Sequence, residues 1–177
     1  MERLPVFELI DKTVQILNDN RKMLETYADV LQGYFQSALR AHAESLVNIS
    51  TRVKGESSLR ERILRKNLYK RYAYPEGIIQ NLSDLIGVRI QCRFLEEEQL
   101  LYDCLRSAFT QECADGLFCA PEQPNVRLDM RSAQPQQQSN GYAIYRIDGL
   151  CGTIGQSVRF ELQIKALVHV FWAEVEH

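Results

Sequence analysis

Apolar residues recur every three to four positions over residues 5–18, where Val6, Ile10, Val14 and Leu17 share one face. That is the spacing of an amphipathic helix. The period continues over residues 21–46 through Leu24, Ala28, Leu31, Phe35 and Leu39, which predicts a second helix. Tyr27, Tyr34 and Phe35 form an aromatic stripe that reads as core, with His42 at its boundary. The pattern then changes. Residues 46–54 read as a short strand, and strand side chains alternate, so Arg52 and Lys54 share a face. Ser58 and Glu61 have the spacing of a capping box, which predicts a helix from about residue 58. Arg62, Arg65, Lys66 and Tyr69 lie on one side of it, and Tyr-Ala-Tyr-Pro-Glu-Gly at 72–77 breaks it.

Alternation over residues 85–94 predicts a strand with Val88, Ile90, Cys92 and Phe94 toward the core and Arg89, Gln91 and Arg93 opposite. Asp84 sits at its entry. Residues 96–109 read as a helix, with acids at 96–98 suited to its N-terminus and Leu100, Leu101, Leu105 and Phe109 as its apolar positions. Residues 111–139 carry Pro121, Pro124, Pro135 and a glutamine run at 136–138, and read as a long surface loop with one short strand at 125–130. Two strands follow, at 140–150 and 157–166, joined by the glycine-rich link CGTIGQ. In the second, Arg159, Glu161, Gln163 and Lys165 face one way and Val158, Phe160, Leu162 and Ile164 the other. Val168, Phe171, Trp172 and Val175 predict a last helix with a core-facing stripe, on which His169 reads as structural.

Composition narrows the function classes. A chain of 177 residues suits one domain with its own core, and 45% hydrophobic with 25% charged residues is ordinary for a globular protein. A net charge of −2 excludes a general polyanion-binding coat. Residues 52–71 nevertheless hold eight Lys and Arg against Glu56 and Glu61, a local +6 that leaves −8 for the remainder. The bland reading of such a run is a solvated helix face. The asymmetry favours a focused anion site. Five cysteines, an odd number with no CxxC pair, argue against a disulfide framework or a zinc site. Reduced thiols fit the cytoplasm. Acids interrupt the apolar residues of MERLPVFELIDK, so no signal peptide is expected, and no apolar run reaches membrane-spanning length.

The candidate chemistry lies in two islands. Arg52 and Lys54 from a strand edge, with Arg62, Arg65 and Lys66 from the next helix, converge as a grip for a polyphosphate, and Ser58 opens a helix N-terminus that favours anions. Asp84 in DLIGVR (84–89) and Glu161 in ELQIK (161–165) are carboxylates able to hold a divalent ion. Cations on phosphates beside metal-binding carboxylates are the minimum equipment of phosphoryl chemistry.

In their order, the basic helix, DLIGVRI, NGY and ELQIKALVHVFWAEVEH resemble the RelA/SpoT synthetase family, the (p)ppGpp alarmone synthetases or GTP pyrophosphokinases. The resemblance covers about residues 45–177 and is strongest to the small single-domain members. It implies an α+β fold, a mixed β-sheet flanked by helices and related to nucleotidyltransferases, with residues 1–45 as a helical scaffold packed on the synthetase domain of 46–177. It implies transfer of the β,γ-pyrophosphate of ATP to the ribose 3′-hydroxyl of GDP or GTP, with Mg²⁺ held by Asp84 and Glu161. Glu161 would also take the hydroxyl proton, because a ribose hydroxyl is a weak nucleophile that needs a positioned carboxylate. The resemblance assigns ATP to Arg52, Lys54, Ser58, Arg62, Arg65 and Lys66, with Arg62 where the family carries Lys. It assigns phosphate or metal support to Arg89, guanine stacking to Tyr142, and neighbouring acceptor contacts to Asn140 and Gln163.

The acceptor motif departs from the family pattern. In place of roughly Lys-Pro-Asn-Gly-Tyr-Arg-Ser-Leu-His, residues 138–146 read Gln-Ser-Asn-Gly-Tyr-Ala-Ile-Tyr-Arg. The Lys and the His are gone, and Arg146 stands at the His position as the acceptor-phosphate contact, on the strand face of Tyr142. Lys165-Ala166 replace Arg-Thr. The donor half matches and the acceptor half is altered. Two alternatives follow: a toxin-like relative that pyrophosphorylates the tRNA 3′ end or another nucleotide, and a catalytically silent regulatory module. Retention of Asp84 and Glu161 argues against the second. Small members of the family often assemble through C-terminal helices, so a homo-oligomer is among the implied partners.

Overall fold

The computed structural model describes residues 5–138, 141–153 and 155–168. Its frame is the pair of alternating segments. β2 (Ile86–Cys92) and β8 (Gln156–Ala166) run parallel, with Gly87 beside Glu161 and Arg89 beside Gln163. Ile86, Val88, Ile90 and Cys92, with Val158, Phe160, Leu162 and Ile164, are buried on one face. Arg89, Arg159, Glu161, Gln163 and Lys165 take the other, as the two-residue period requires.

Around this pair the chain builds an eight-stranded mixed sheet. β1 (Leu46–Val53) pairs antiparallel with β2, and β7 (Ala143–Thr153) pairs antiparallel with β8. Beyond β7 come β5 (Gln123–Leu128), β4 (Phe118–Ala120) and β3 (Gln111–Glu112), while β6 (Gln136–Gln137) also pairs with β7. Helix α2 (Arg21–Ala38) and helix α6 (Leu95–Ala108) pack on the apolar face through Leu24, Leu31, Phe35, Leu101 and Leu105. The Phe35 and Phe160 rings meet edge-on at 6.2 Å. Helix α1 (Val6–Asp19) packs on α3 (Glu56–Arg65) and α5 (Pro75–Asn81), and a single turn, α4 (Leu68–Arg71), links those two. Fully burying one such Leu or Phe contributes about 1.5–3 kcal/mol, so the layer of helices ties the polar face to a rigid support. No described helix is long and apolar enough to cross a membrane.

Several local expectations yield to tertiary contacts. The second helix stops at Ala38 and passes through a 3₁₀ turn at Arg40–His42, instead of running to 46. Leu39 is wholly buried at that end, and the turn frees Leu46 to begin its ladder opposite Cys92. Helix α3 begins at Glu56, with extended Gly55 as its N-cap, so Ser58 and Glu61 form no capping box. It ends at Arg65, and left-handed Asn67 separates Tyr69 onto α4. Pro75, read as a breaker, opens α5 at N1, where its missing N–H costs no helical bond. Phe94 is 60% exposed because β2 has already ended. It caps α6, and the Glu97 carboxylate accepts the Arg93 and Phe94 N–H groups at 2.9 and 3.0 Å. Leu100 is also exposed.

Within residues 111–138 four short strands, β3 to β6, break up what reads as one long loop; the strand expected at 125–130 is at Gln123–Leu128, and residue 139 lies outside the described residues. The link CGTIGQ is mostly strand, since β7 runs to Thr153 and β8 starts at Gln156. Of the last helical stripe, Val168 is exposed, and Phe171, Trp172 and Val175, with His169, lie outside the described residues.

Gly149 pairs with Phe160 across β7 and β8. A Cβ there would stand 2.4 Å from the Phe160 ring and 2.8 Å from the Arg127 carbonyl oxygen. Neither neighbour can withdraw from the core. Gly149→Ala is expected to cost about 2–3 kcal/mol, read as a lower urea midpoint at unchanged slope.

Candidate active site

The polar face of the sheet is ordered by register. One rung runs Arg52, Gly87, Glu161, Asp148, and the next runs Ser50, Arg89, Gln163, Arg146. Neighbours along a rung lie within side-chain reach. Gly87 leaves the floor between Arg52 and Glu161 clear, and the Arg52 side chain lies across it. The result is a cavity of about 390 Å³ whose walls include Arg52, Lys54, Gly55, Ser58, Asp84, Arg89, Glu161 and Gln163.

On the β1 side, the Lys54 N–H donates to the Leu85 carbonyl at 2.9 Å, which holds the end of β1 against the turn before β2. Lys54 Nζ then donates to Asp84 Oδ2 at 2.5 Å, with Arg62 Nη1 4.0 Å from the same oxygen. The other oxygen, Asp84 Oδ1, is buried and has no hydrogen-bond partner among the described residues. The first turn of α3 reaches the cavity through Gly55 and Ser58, so unpaired helix N–H groups add to the positive potential.

On the β7 side, Glu161 is contacted at both oxygens. Gln163 Nε2 donates to Oε1 at 2.5 Å, and Arg146 Nε stands 3.4 Å from Oε2. Tyr142 is exposed just before β7, and its carbonyl accepts the Gln138 N–H at 2.8 Å. Asn140 lies outside the described residues.

Arg52, Lys54, Ser58, Asp84, Arg89, Glu161 and Gln163 thus share one cavity, and Arg62 and Arg146 reach it through Asp84 and Glu161. Arg65 and Lys66 do not line it. Arg65 pairs with Glu61 at 3.6 Å in solvent, and Lys66 is the exposed C-cap of α3. Seven to eight residues beyond Ser58, they stand roughly 10–12 Å further along the helix axis.

Sequence reasoning passed over Asp148, which lies directly opposite Glu161. The signal was present: Asp148 is two residues past Arg146 on the same strand, and hence on the same face. Desolvation on the crowded sheet raises the Asp148 pKa; Glu161 and Asp129 push the same way, and Arg146 and Arg159 oppose them. Desolvation lowers the Lys165 pKa, helped by the Arg89 and Arg52 cations and opposed by Glu161 and Glu98.

The arrangement suits an anionic ligand at the Lys54 side and a proton-accepting carboxylate at the Glu161 side. No group of three metal-type side chains occurs among the described residues. Two carboxylates, one with an unshared buried oxygen, are nevertheless a fit for Mg²⁺, which takes one or two protein carboxylates and completes its shell with phosphates and water.

Residues 51–177 match the model of the region found in RelA / SpoT proteins. GTP pyrophosphokinase YjbM of Bacillus subtilis (strain 168) is 27% identical over 135 residues, which are 73% of this chain and 54% of that protein. The chain therefore spans about half the length of that relative. Among solved structures, the small alarmone synthetase 1 of Bacillus subtilis bound to its product pppGpp superposes with a TM-score of 0.62 at 21% identity, covering 87% of this chain and 74% of that one. The same enzyme bound to AMPCPP gives 0.61 at 20%, covering 90% and 77%. A GTP pyrophosphokinase family protein from Streptococcus pneumoniae gives 0.61 at 19%, covering 92% and 73%. At these identities the structural likeness is one of fold, the mixed α+β sheet flanked by helices.

The depressed pKa of Lys165 makes a testable cost. Only the folded chain desolvates the ammonium. The unfolded chain binds more protons between the lowered folded pKa and about 10.4, so wild-type stability rises with pH there. Lys165→Met is expected to melt higher than wild type at pH 7, with the gap closing as pH rises toward about 10. Parallel thermal melts of the two proteins read this difference.

Proposed function

The chain belongs to the RelA/SpoT family, and from that premise we propose that it transfers the β,γ-pyrophosphate of ATP to the ribose 3′-hydroxyl of GDP or GTP, making (p)ppGpp. One observation carries the reading: a phosphate-type cation cluster around Asp84 and a hydrogen-bonded Glu161 open onto a single cavity. The name of the Bacillus subtilis relative supports it, as do the pppGpp and AMPCPP held by proteins of this fold.

Each residue then has a task. Arg52, Lys54, Ser58 and Arg62 bind the ATP phosphates, and Arg65 and Lys66, further along α3, serve the outer part of the donor. Arg89 steadies the phosphates from the sheet floor. Asp84 and Glu161 hold Mg²⁺, which when bound neutralises the phosphate oxygens and sharpens the electrophile. Glu161 accepts the 3′-hydroxyl proton as that oxygen bonds to the β-phosphorus. The bond from the β-phosphorus to the bridging oxygen breaks, and AMP leaves with the electron pair. Tyr142 stacks on the guanine, Asn140 and Gln163 orient the nucleoside, and Arg146 pairs with acceptor phosphate. The Lys54 and Arg62 cations, now on Asp84, are available to charge spreading onto the phosphates in the transition state. We place this activity in the cytoplasm, where both nucleotides are abundant.

Labelled ATP incubated with Mg²⁺ and GDP or GTP should yield a labelled guanosine tetra- or pentaphosphate with stoichiometric AMP, and a chelator should abolish it. Glu161→Gln is expected to lower kcat by about a hundred- to ten-thousand-fold, the usual weight of a positioned base, while ATP binding by calorimetry persists. Absence of any guanosine product under all conditions would refute the proposal. Label appearing on the tRNA 3′ end would move the acceptor there.

A further inference from the structure

The two edges of β7 are satisfied by different means. Along one edge it pairs with β8 from Tyr145 to Thr153. Along the other, β5 pairs with Gly149–Cys151, the Asp129 N–H donates to the Asp148 carbonyl at 2.9 Å, and β6 pairs with Ala143 and Ile144. Neither β5 nor β6 reaches Arg146. A side chain takes the place of the missing strand. Gln134 Oε1 accepts the Arg146 N–H at 3.0 Å, and Gln134 Nε2 donates to the Arg146 carbonyl at 2.6 Å. Gln136 Nε2 adds a second bond to that carbonyl at 3.0 Å.

A primary amide carries the same donor and acceptor as a peptide group. Gln134 therefore reproduces the two-bond exchange of a hydrogen-bonded antiparallel pair, at Arg146, whose guanidinium is paired with Glu161. The Arg146 side chain is long and 40% exposed, so its direction depends on how firmly its main chain is held. We propose that Gln134 is a positioning residue for the acceptor side of the reaction. Its amide fixes the Arg146 main chain, and with it the approach of the guanidinium to Glu161 and to acceptor phosphate. The inference rests on the reading of Arg146 as the acceptor contact.

Two measurements test it. Amide hydrogen exchange at Arg146, with no nucleotide present, should speed by about tenfold in Gln134→Ala, since roughly one net hydrogen bond is lost. Steady-state kinetics of the same variant should show the acceptor KM raised by about tenfold with the ATP KM within about twofold. Combined with Arg146→Ala, the Gln134 change should add nothing further to the acceptor KM. The near-isosteric Gln134→Glu keeps an acceptor for the N–H and loses the donor, so its acceptor KM should fall between wild type and Gln134→Ala, which serves if the alanine variant folds poorly. Unchanged exchange at Arg146, equal shifts of both KM values, or the same loss in the Arg146→Ala background would each overturn the proposal. Failure of the clamp shows in the exchange; failure of the proposed activity shows in the wild-type assay and would overturn the acceptor role with it.

Discussion

In the parallel pairing of β2 with β8, Gly87 stands beside Glu161 and Arg89 beside Gln163. Everything in the site depends on that register. A slip of one residue would turn Ile86, Val88 and Ile90 into solvent and drive Arg89 and Glu161 into the helices. The apolar side forbids the slip, because Phe160, Leu162 and Ile164 have no exposed surface and pack against α2 and α6. Hydrophobic burial on one face thus sets the position of charge on the other. β1 and β7 inherit the same register, which brings Arg52 and Asp148 to opposite ends of one rung.

Asp84 and Glu161 are each paired with a cation. Lys54, whose side chain is 9% exposed, is paired with Asp84, and Arg146 is paired with Glu161. For the Lys54–Asp84 pair, removing one member leaves an uncompensated, mostly buried charge, so these two hold one another in place. The same pairing keeps cations and carboxylates within reach of a ligand that carries both phosphate and metal. The Lys165 ammonium is the part left costly, desolvated among Arg89 and Arg52. A protein selected only for stability would place an apolar residue there, and departures of this kind are expected at working sites.

Much of the architecture was legible in the residues. Alternation in 85–94 and 157–166 identified the two central strands and the face of each side chain within β2 and β8, though not of Phe94 beyond the end of β2, because a strand buried on one side writes its period into the sequence. The basic island and the two acids were legible as chemistry, and their order as a family. The errors share a cause. Periodicity alone extends α2 past Ala38, starts α3 late and leaves residues 111–139 as a loop, all at places where local propensity is weak and a distant partner decides. Leu46 joins Cys92, and β5 joins β7, across separations that no window of sequence spans.

The sequence by itself determined which residues of β2 and β8 face the core, which chemistry is available and to which family the chain belongs, since periodicity, charge and motif order are local or linear properties. Only the tertiary structure decided which cations reach the acids. Lys54 and Arg62 converge on Asp84, while Arg65 and Lys66, in the same basic run, stand further up the helix axis. It alone placed Asp148 against Glu161 and gave Gln134 its work on Arg146. Those are contacts between strands or across an edge, fixed by hydrogen-bond register and by the demand that each backbone group find a partner.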